Sequence, residues 1–516
     1  MKSFSAQGPL LVGIDLGTTN IKAIVFDPTG AIVAGASVPT PTVYPRPTWA
    51  HHDPGEFWAK AAEAIRQAVT KVEEPQRIVS VAVTSTGETG FPLDAHGAAT
   101  YESIAWFDGR TKAEAQWLDE QIGADRIFSI TGLSLQPIFS LCKILWLRKH
   151  APDAFARTAL WLNAADFIAF RLCGAPATDH SLASRMLMLH LRELRWATEL
   201  VEEAGIPSSL LAPLQPSGTP LQKITPEAAA LTGLPPSTLV SVGGHDHVCG
   251  ALAVGVTERG NMLNSMGTAE AVFLPLLEPM TDPQTGRQGY TQGAHTAGGF
   301  YVFGGSYTSG ACLDWFRSAF AAQTDHATLT AEAEQVPAGS LGVSFCPFLR
   351  LANPPYNDPK ARGAFLGLST DAQRGTLFRA VLEGIALDTR NGLEPLLSHT
   401  GVGKLQNIYA IGGGTRNPLL MQIKASVLNQ PIHVMSIDES TALGAAVLGG
   451  IGAGVYTGVA DAIATLRLSE TIVEPVPADV ALYEEAFQNI YKRIYPALQE
   501  INHRSFDLQQ KATPPS

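Results

Sequence analysis

Two glycine-bearing segments far apart in the chain limit its fold most. The first reads Gly13-Ile14-Asp15-Leu16-Gly17-Thr18-Thr19-Asn20-Ile21-Lys22, entered from Leu10-Leu11-Val12 and left through Ala23-Ile24-Val25-Phe26. The second reads Asn261-Met262-Leu263-Asn264-Ser265-Met266-Gly267-Thr268-Ala269-Glu270-Ala271-Val272-Phe273. Each is an apolar run, a Gly-Thr turn and a second apolar run, which predicts a strand–turn–strand. Glycine at such a turn lets main-chain N–H groups approach an anion with no Cβ in the way, and Thr18 and Thr19 add hydroxyl donors. Asp15, at the end of its strand, is placed to hold a magnesium ion through the ion's water shell. One such hairpin is equally well explained by turn geometry alone. Two of them suggest two lobes clasping one nucleotide.

The chain has room for both lobes. At 516 residues it is too long for one core, since domains average about 150 residues. A hydrophobic content of 45% with 16% charged residues describes a compact globular chain. A net charge of −11 opposes binding to nucleic acid or an anionic membrane, so a phosphate ligand has to be met locally. No apolar stretch approaches the ~18 residues that span a bilayer, and Pro9-Leu10-Leu11-Val12 runs straight into Asp15, unlike a signal peptide. A cytoplasmic protein is expected. The five cysteines, at 142, 173, 249, 312 and 346, show no C-x-x-C spacing and read as buried small hydrophobes.

After strands over residues 10–40, Asp53 as N-cap and Pro54 as first helical residue open a helix over about 55–72. Ile78–Thr84 reads as a buried strand. Its carboxyl end carries the polar turn Ser85-Thr86-Gly87-Glu88-Thr89-Gly90, where open α/β sheets place ligands. Helical patterns at 111–120, 140–150, 162–172 and 197–204 form an insertion before the strand Thr238–Val242. A loop Gly243-Gly244-His245-Asp246-His247 and a helix over 248–254 follow. Asp246 is the candidate base, although its position at a helix start, taken in isolation, fits a plain N-cap better. No third ligand appears near His245 and His247 at metal spacing, so they read as structural. Residues 255–260 are the expected lobe boundary, giving domains over 1–254 and 255–503 and a disordered tail over 504–516. In the second lobe the strand 406–411 leads into Gly412-Gly413-Gly414-Thr415-Arg416-Asn417-Pro418. Bare backbone there admits a flat purine, and Asn417 serves either the nucleoside or the N-cap of the next helix. Glu439–Ala446 opens a helix whose small residues permit close packing.

The order and spacing of these segments resemble the FGGY carbohydrate kinases over nearly the whole chain. Asp15-Leu16-Gly17-Thr18-Thr19 resembles the family's first phosphate motif, Met266-Gly267-Thr268 its second, and Gly412-Gly413-Gly414 with Asn417 its adenosine motif. Trp106-Phe107-Asp108-Gly109-Arg110-Thr111 is similar to the segment near the sugar, and Ser140–Leu147 to the first family signature. Arg362–Leu368 with Ala380–Ala386 is similar to the second. The resemblance implies an α/β chain of two ribonuclease H-like lobes of the sugar kinase, Hsp70 and actin type, each with a mixed five-stranded sheet. ATP and Mg2+ would lie in the interlobe cleft. By the same resemblance Asp246 is the general base, and Glu88, Trp106 and Asp108 face the sugar together with it. Gly17, Thr18, Thr19, Lys22, Gly267, Thr268, Gly310, Gly413, Gly414 and Asn417 hold the nucleotide, and Asp15 the metal. A homodimer is compatible with this reading.

Two departures bear on the substrate. Glycerol kinases carry Arg-Glu-Thr where this chain has Gly87-Glu88-Thr89, and a tyrosine where it has Ile138. The turn also lacks the Met-His pair of typical xylulokinases. Losing the arginine and the tyrosine removes partners for glycerol and frees volume, which favours a sugar or polyol of four to seven carbons, a ketopentose such as xylulose among them. An Hsp70-like ATPase switch or a catalytically silent sensor of the same superfold stays open at this point.

Overall fold

A computed structural model describes residues 8–512. Two mixed sheets organise it. In the first lobe, strands β1 (Leu10–Leu16), β2 (Asn20–Phe26), β3 (Ile32–Pro39), β4 (Ile78–Ser85), β5 (Pro220–Lys223) and β6 (Leu239–His245) lie in the order β5-β6-β4-β1-β2-β3. In the second, β7 (Asn261–Met266), β8 (Glu270–Leu276), β9 (Thr291–Ala294), β10 (Phe300–Ser306), β11 (Asn407–Ile411), β12 (Ile432–Ser436) and β13 (Ser469–Val473) lie in the order β9-β10-β8-β7-β11-β12-β13. Both expected hairpins form, with Asp15 opposite Lys22 and Met266 opposite Glu270. Each central strand then pairs in parallel with the strand beyond it, β1 with β4 and β7 with β11.

The sheets have six and seven strands rather than five. Five strands correspond between the lobes, in the orders β3-β2-β1-β4-β6 and β10-β8-β7-β11-β12. The extra ones are the antiparallel edges β5, β9 and β13. Such edge strands take little from hydrophobic patterning, because one side of the ladder is open and their side chains need not alternate in burial.

β1 and β4 are buried almost throughout because both faces of the sheet are covered. One cover is α1 (Pro54–Val69), whose N-terminus is capped by Asp53 accepting from the Glu56 amide at 2.7 Å. The other is α9 (Ser440–Gly452), which follows the second lobe's β12 yet packs on the first lobe's β1, β4 and β6. It reaches them by near-contact of backbones: a Cβ on Gly13 would stand 1.8 Å from the Ala442 carbonyl oxygen. Leu11, Ile24 and Phe26 of the first sheet share one apolar cluster with Cys249 and Leu252 of α4 (Asp246–Ala253) and Leu443 and Val447 of α9.

Between β4 and β6 the chain inserts its helices, including α2 (Ser140–His150) and α3 (Ala164–Cys173). β6 runs on through Gly243 and Gly244 to His245, where a loop was expected. The strand tolerates both glycines through a register shift between Ser241 and Gly244 against β4. The second lobe carries α5 (Gly310–Phe320), α6 (His326–Glu334), α7 (Arg374–Thr400) and α8 (Pro418–Leu428).

The expected disordered tail is a helix as far as the description reaches. α10 (Lys492–Ala512) is fixed by His503 on Asp358 at 2.7 Å, Lys360 on Asp507 at 3.0 Å, and the Arg362 guanidinium 4.7 Å from the Phe506 ring centre. Residues 513–516 lie outside the described residues. All five cysteines are buried and free, and among the described residues no helix is long and apolar enough to cross a membrane.

His295, between β9 and β10, gives the fold a pH-dependent element. Its Nδ1 accepts from the Ala297 amide at 2.9 Å and its Nε2 faces the Val256 carbonyl at 3.1 Å, so one neutral tautomer satisfies both contacts. Burial lowers its pKa from 6.5 to about 4. Between those values the unfolded chain binds the extra proton, so this contribution is complete above pH 6.5 and is lost as pH falls toward 4. The stability difference between the native chain and His295→Gln should shrink by about 3 kcal/mol from pH 7 to pH 4. A difference independent of pH in urea titrations would refute the assignment.

Candidate active site

The carboxyl ends of β1, β4 and β6 in one lobe and of β7 and β11 in the other carry every residue that the sequence singled out on a strand end. In the first hairpin the Gly17 amide donates to the Asn20 carbonyl at 3.1 Å, and the Thr40 hydroxyl to the Gly17 carbonyl at 2.7 Å. Thr18 and Thr19 are left exposed. In the second, the Gly267 amide closes the turn on the Ala269 carbonyl at 2.8 Å. The first amides of α5 donate to it, Gly310 to the Gly267 carbonyl at 3.1 Å and Ala311 to the Thr268 carbonyl at 3.0 Å. The positive end of the helix dipole therefore points at the phosphate-type loop. Gly310 has to be glycine, because its Cβ would fall 2.4 Å from the Gly267 oxygen.

A cavity of about 660 Å³ opens here, with Gly267, Thr268 and Gly310 on one wall and Gly413, Gly414 and Asn417 on another. Its size suits a nucleoside phosphate. Asn417 caps α8 by accepting from the Leu420 amide at 3.0 Å, and its Nδ2 donates to Thr330 Oγ1 at 3.0 Å. It both ends the turn and lines the cavity. Lys22 is engaged by a carboxylate. Its ammonium is held by both oxygens of Glu439, each at 2.9 Å, in a partly exposed pair that links β2 to the residue preceding α9.

Asp246 is the first residue of α4, with His245 in the N-cap position, so the plain N-cap reading does not apply to it. Its Oδ1 accepts from the His247 amide at 2.6 Å. Burial raises its pKa and the Glu88 charge adds to that, against His247 and Arg185, which lower it. Burial, then the Asp246 charge, pushes Asp15 up to about 7, with Glu439 adding and Lys22 opposing. Two carboxylates that repel each other's charge, both hard oxygen donors, suit Mg2+, which takes one or two protein carboxylates and leaves its other positions to phosphates and water. Among the described residues no group of three or more His, Cys, Asp or Glu side chains is placed to hold a metal unaided. His245 is buried and its pKa lies well below 6.5, first through burial and then through Arg185 and His247. It is neutral beside the base.

Glu88 is buried at the end of the β4 turn. Trp106 donates from Nε1 to Thr18 Oγ1 at 2.9 Å, so an expected sugar residue and an expected phosphate residue touch. Asp108 is committed inside the protein. It accepts from Arg110 Nε at 2.8 Å, Arg110 Nη2 at 2.7 Å, the Arg110 amide at 2.8 Å and the Ala50 amide at 2.5 Å, with a side chain 0% exposed. Its work is to fix the loop that carries Trp106.

Two cations were missed by sequence reasoning. Lys143 of α2 is fully buried and donates to the Glu88 carbonyl at 2.6 Å, with burial pushing its pKa down to about 7. A lone lysine in the apolar run Ser140–Leu147 was the available signal. Arg185 follows the single helical turn His180–Ala183 and pairs with Glu88, its Nη2 at 2.6 Å from Oε1. Nothing in its local sequence marks it. It also corrects the expected free volume at Gly87, since the Arg185 side chain occupies that space.

Two profiles described as the FGGY family of carbohydrate kinases match the chain, the N-terminal domain over residues 10–253 and the C-terminal domain over 262–453. The xylulose kinase of Bacillus subtilis (strain 168) is 27% identical, over 95% of this chain and 98% of its own. The glycerol kinase of Gloeobacter violaceus (strain ATCC 29082 / PCC 7421) is 32% identical, over 89% of this chain and 91% of its own. The crystal structure of the xylulose kinase from Rhodospirillum rubrum superposes with a TM-score of 0.88 at 31% identity, covering 96% of this chain and 100% of that one.

Proposed function

The chain belongs to the FGGY family of carbohydrate kinases, whose members transfer phosphate from ATP to sugars or polyols, and on that premise we propose that it phosphorylates a hydroxyl of a small sugar or polyol of four to seven carbons, a ketopentose such as xylulose favoured. The observation that carries this reading is a carboxylate, Asp246, at the carboxyl end of β6 with a raised pKa, beside Glu88 and Asp15.

In the proposed reaction Glu88 and Trp106 bind the acceptor, and Asp246 orients one hydroxyl and takes its proton as the bond to the γ-phosphorus forms and the bond to the ADP oxygen breaks. Phosphoryl transfer passes through a loose transition state, so alignment and charge stabilisation do most of the work. Thr18, Thr19, Gly267 and Thr268 supply donors to the phosphates, Gly310 seats the second of these loops, and Gly413, Gly414 and Asn417 flank the nucleoside. Asp15 would hold Mg2+, which offsets the phosphate charge, while Asp246 stays free to act on the acceptor hydroxyl. Residues 1–254 serve the sugar and the base in this reading, and residues 255–503 the ATP. Lys22 acts through Glu439, as a tie beside Asp15, rather than on phosphate.

The preference for four or more carbons rests on Ile138, which is smaller than the tyrosine of glycerol kinases and offers no hydroxyl. The lost bond costs glycerol about 0.5–1.5 kcal/mol. A coupled ADP-release screen over C3–C7 polyols and ketoses tests the proposal: specificity constants should be higher for a member of four or more carbons, D-xylulose among the best. Glycerol equal to or above every other member would overturn the size preference, and no sugar-dependent ADP release would overturn the function.

A further inference from the structure

Gly87 and Arg185 compete for one place. Gly87 sits on the turn that presents Glu88, and its φ lies outside the left-handed region, so its backbone does not demand glycine. Arg185 does: a Cβ on residue 87 would stand 2.4 Å from Arg185 Cγ and 2.5 Å from its Cβ. The guanidinium reaches Glu88 Oε1 with Nε at 2.8 Å and Nη2 at 2.6 Å. From the other side Nη1 donates to Thr291 Oγ1 of β9, in the second lobe, at 2.8 Å. The rings of Phe139 and Phe303 flank it, with centres 5.2 and 5.8 Å away.

The pair is nearly closed to solvent, with side chains 7% and 6% exposed. Buried ion pairs contribute little net stability, because desolvating two ions offsets most of their attraction. This one nevertheless stands next to the candidate base, whose carboxyl feels both charges. A guanidinium carries five N–H donors. Nε donates to Glu88 and Nη1 to Thr291, Nη2 stands in ion-pair contact with Glu88, and the Tyr301 hydroxyl also meets the guanidinium, which leaves one N–H on a terminal nitrogen. Both contacts to Glu88 fall on Oε1, so Oε2 takes no hydrogen bond among the described residues. A free donor beside a free acceptor matches the hydrogen-bonding pattern of neighbouring hydroxyls, each of which both accepts and donates. The charges of the Glu88–Arg185 pair cancel, as do those of Asp108 and Arg110, so the pair offers a ligand hydrogen bonds rather than a net charge.

We propose that Arg185 is a specificity-determining residue of the sugar pocket: it brings to the place beside Gly87 a guanidinium from elsewhere in the chain and, with Glu88 Oε2, grips adjacent hydroxyls of a neutral polyol or ketose. This rests on the proposal above that the acceptor lies between Glu88 and Asp246.

Arg185→Lys keeps a positive charge beside Glu88 but loses the planar fork. Measured with D-xylulose, or the panel member with the highest turnover where that differs, it should raise the KM for the sugar roughly 10- to 100-fold, the worth of one or two hydrogen bonds to a charged group. The KM for ATP and the melting temperature should stay near the native values, which a merely structural role would not predict. The double variant G87R/R185G moves the guanidinium back to residue 87 and should bind the sugar better than R185G. Asp246→Asn, assayed in parallel, separates the two claims. If it retains turnover, the proposed function has failed; if it loses turnover while Arg185→Lys keeps the native KM for the sugar, only the role of Arg185 is overturned. A G87R/R185G variant that binds no better than R185G would also overturn it.

Discussion

Asp246→Asn is expected to lower turnover by roughly 10²–10⁴-fold while leaving the fold and ATP binding nearly intact, the usual worth of a positioned general base. The substitution is nearly isosteric, and the Asp246 oxygen that accepts from the His247 amide can be supplied by the asparagine carbonyl. Helix α4 therefore keeps its first turn. What disappears is the acceptor for the substrate proton and the charge that faces Asp15. Turnover and thermal unfolding distinguish this from a structural role. A variant with native turnover and a stability loss of about 1 kcal/mol would show that Asp246 serves only as an anion in the first turn of its helix.

Lys424→Met should cost about 3–5 kcal/mol, because it strands a buried carboxylate. Lys424 on α8 is fully buried and its ammonium lies 2.5 Å from Glu270 Oε1, with Glu270 2% exposed. Burial works to raise the Glu270 pKa, but Lys424 and the hydrogen bonds from Asn264 and Thr389 outweigh it and hold the carboxyl below its ordinary value. Ser309 Oγ donates to the other oxygen at 2.9 Å, so the same carboxylate ties β8 to the start of α5 beside the second phosphate-type hairpin. Loss of stability should therefore come with weaker ATP binding. K424M/E270Q should lose less than the two single variants summed, because no unpaired charge remains. A cost below about 1 kcal/mol for Lys424→Met in chemical denaturation would contradict the reading.

The sequence made the local devices legible and the long-range ones largely not. Asp53 with Pro54, Asn417 with Pro418, and the two Gly-Thr hairpins act over a few residues, and each forms as expected. The close packing expected of the small residues near Ala442 is present too. That they press on Gly13 of the other lobe is a tertiary fact with no local mark. Arg185 is the clearest failure. It meets Glu88 from 97 residues away, and the emptiness read at Gly87 is the space that it fills. Asp108, expected at the sugar, has its oxygens taken by Arg110 and Ala50, a pairing that the adjacent Gly109-Arg110 could have suggested. Pro514 and Pro515 at its end suggest a disordered tail, whereas contacts to Asp358 and Lys360 hold the residues up to Ala512 as a helix.

If this cleft moves phosphate from ATP to a carbohydrate hydroxyl with Asp246 as base, sugar phosphate and ADP must appear together. The direct measurement is to incubate the native chain with ATP, magnesium and D-xylulose, or the best member of the C3–C7 panel, and to follow ADP release and new phosphomonoester by phosphorus NMR. One phosphorylated sugar is expected for each ADP, with little inorganic phosphate and a rate that collapses when the sugar is left out. ADP and inorganic phosphate appearing at the same rate with or without sugar would contradict this and identify an ATPase switch instead.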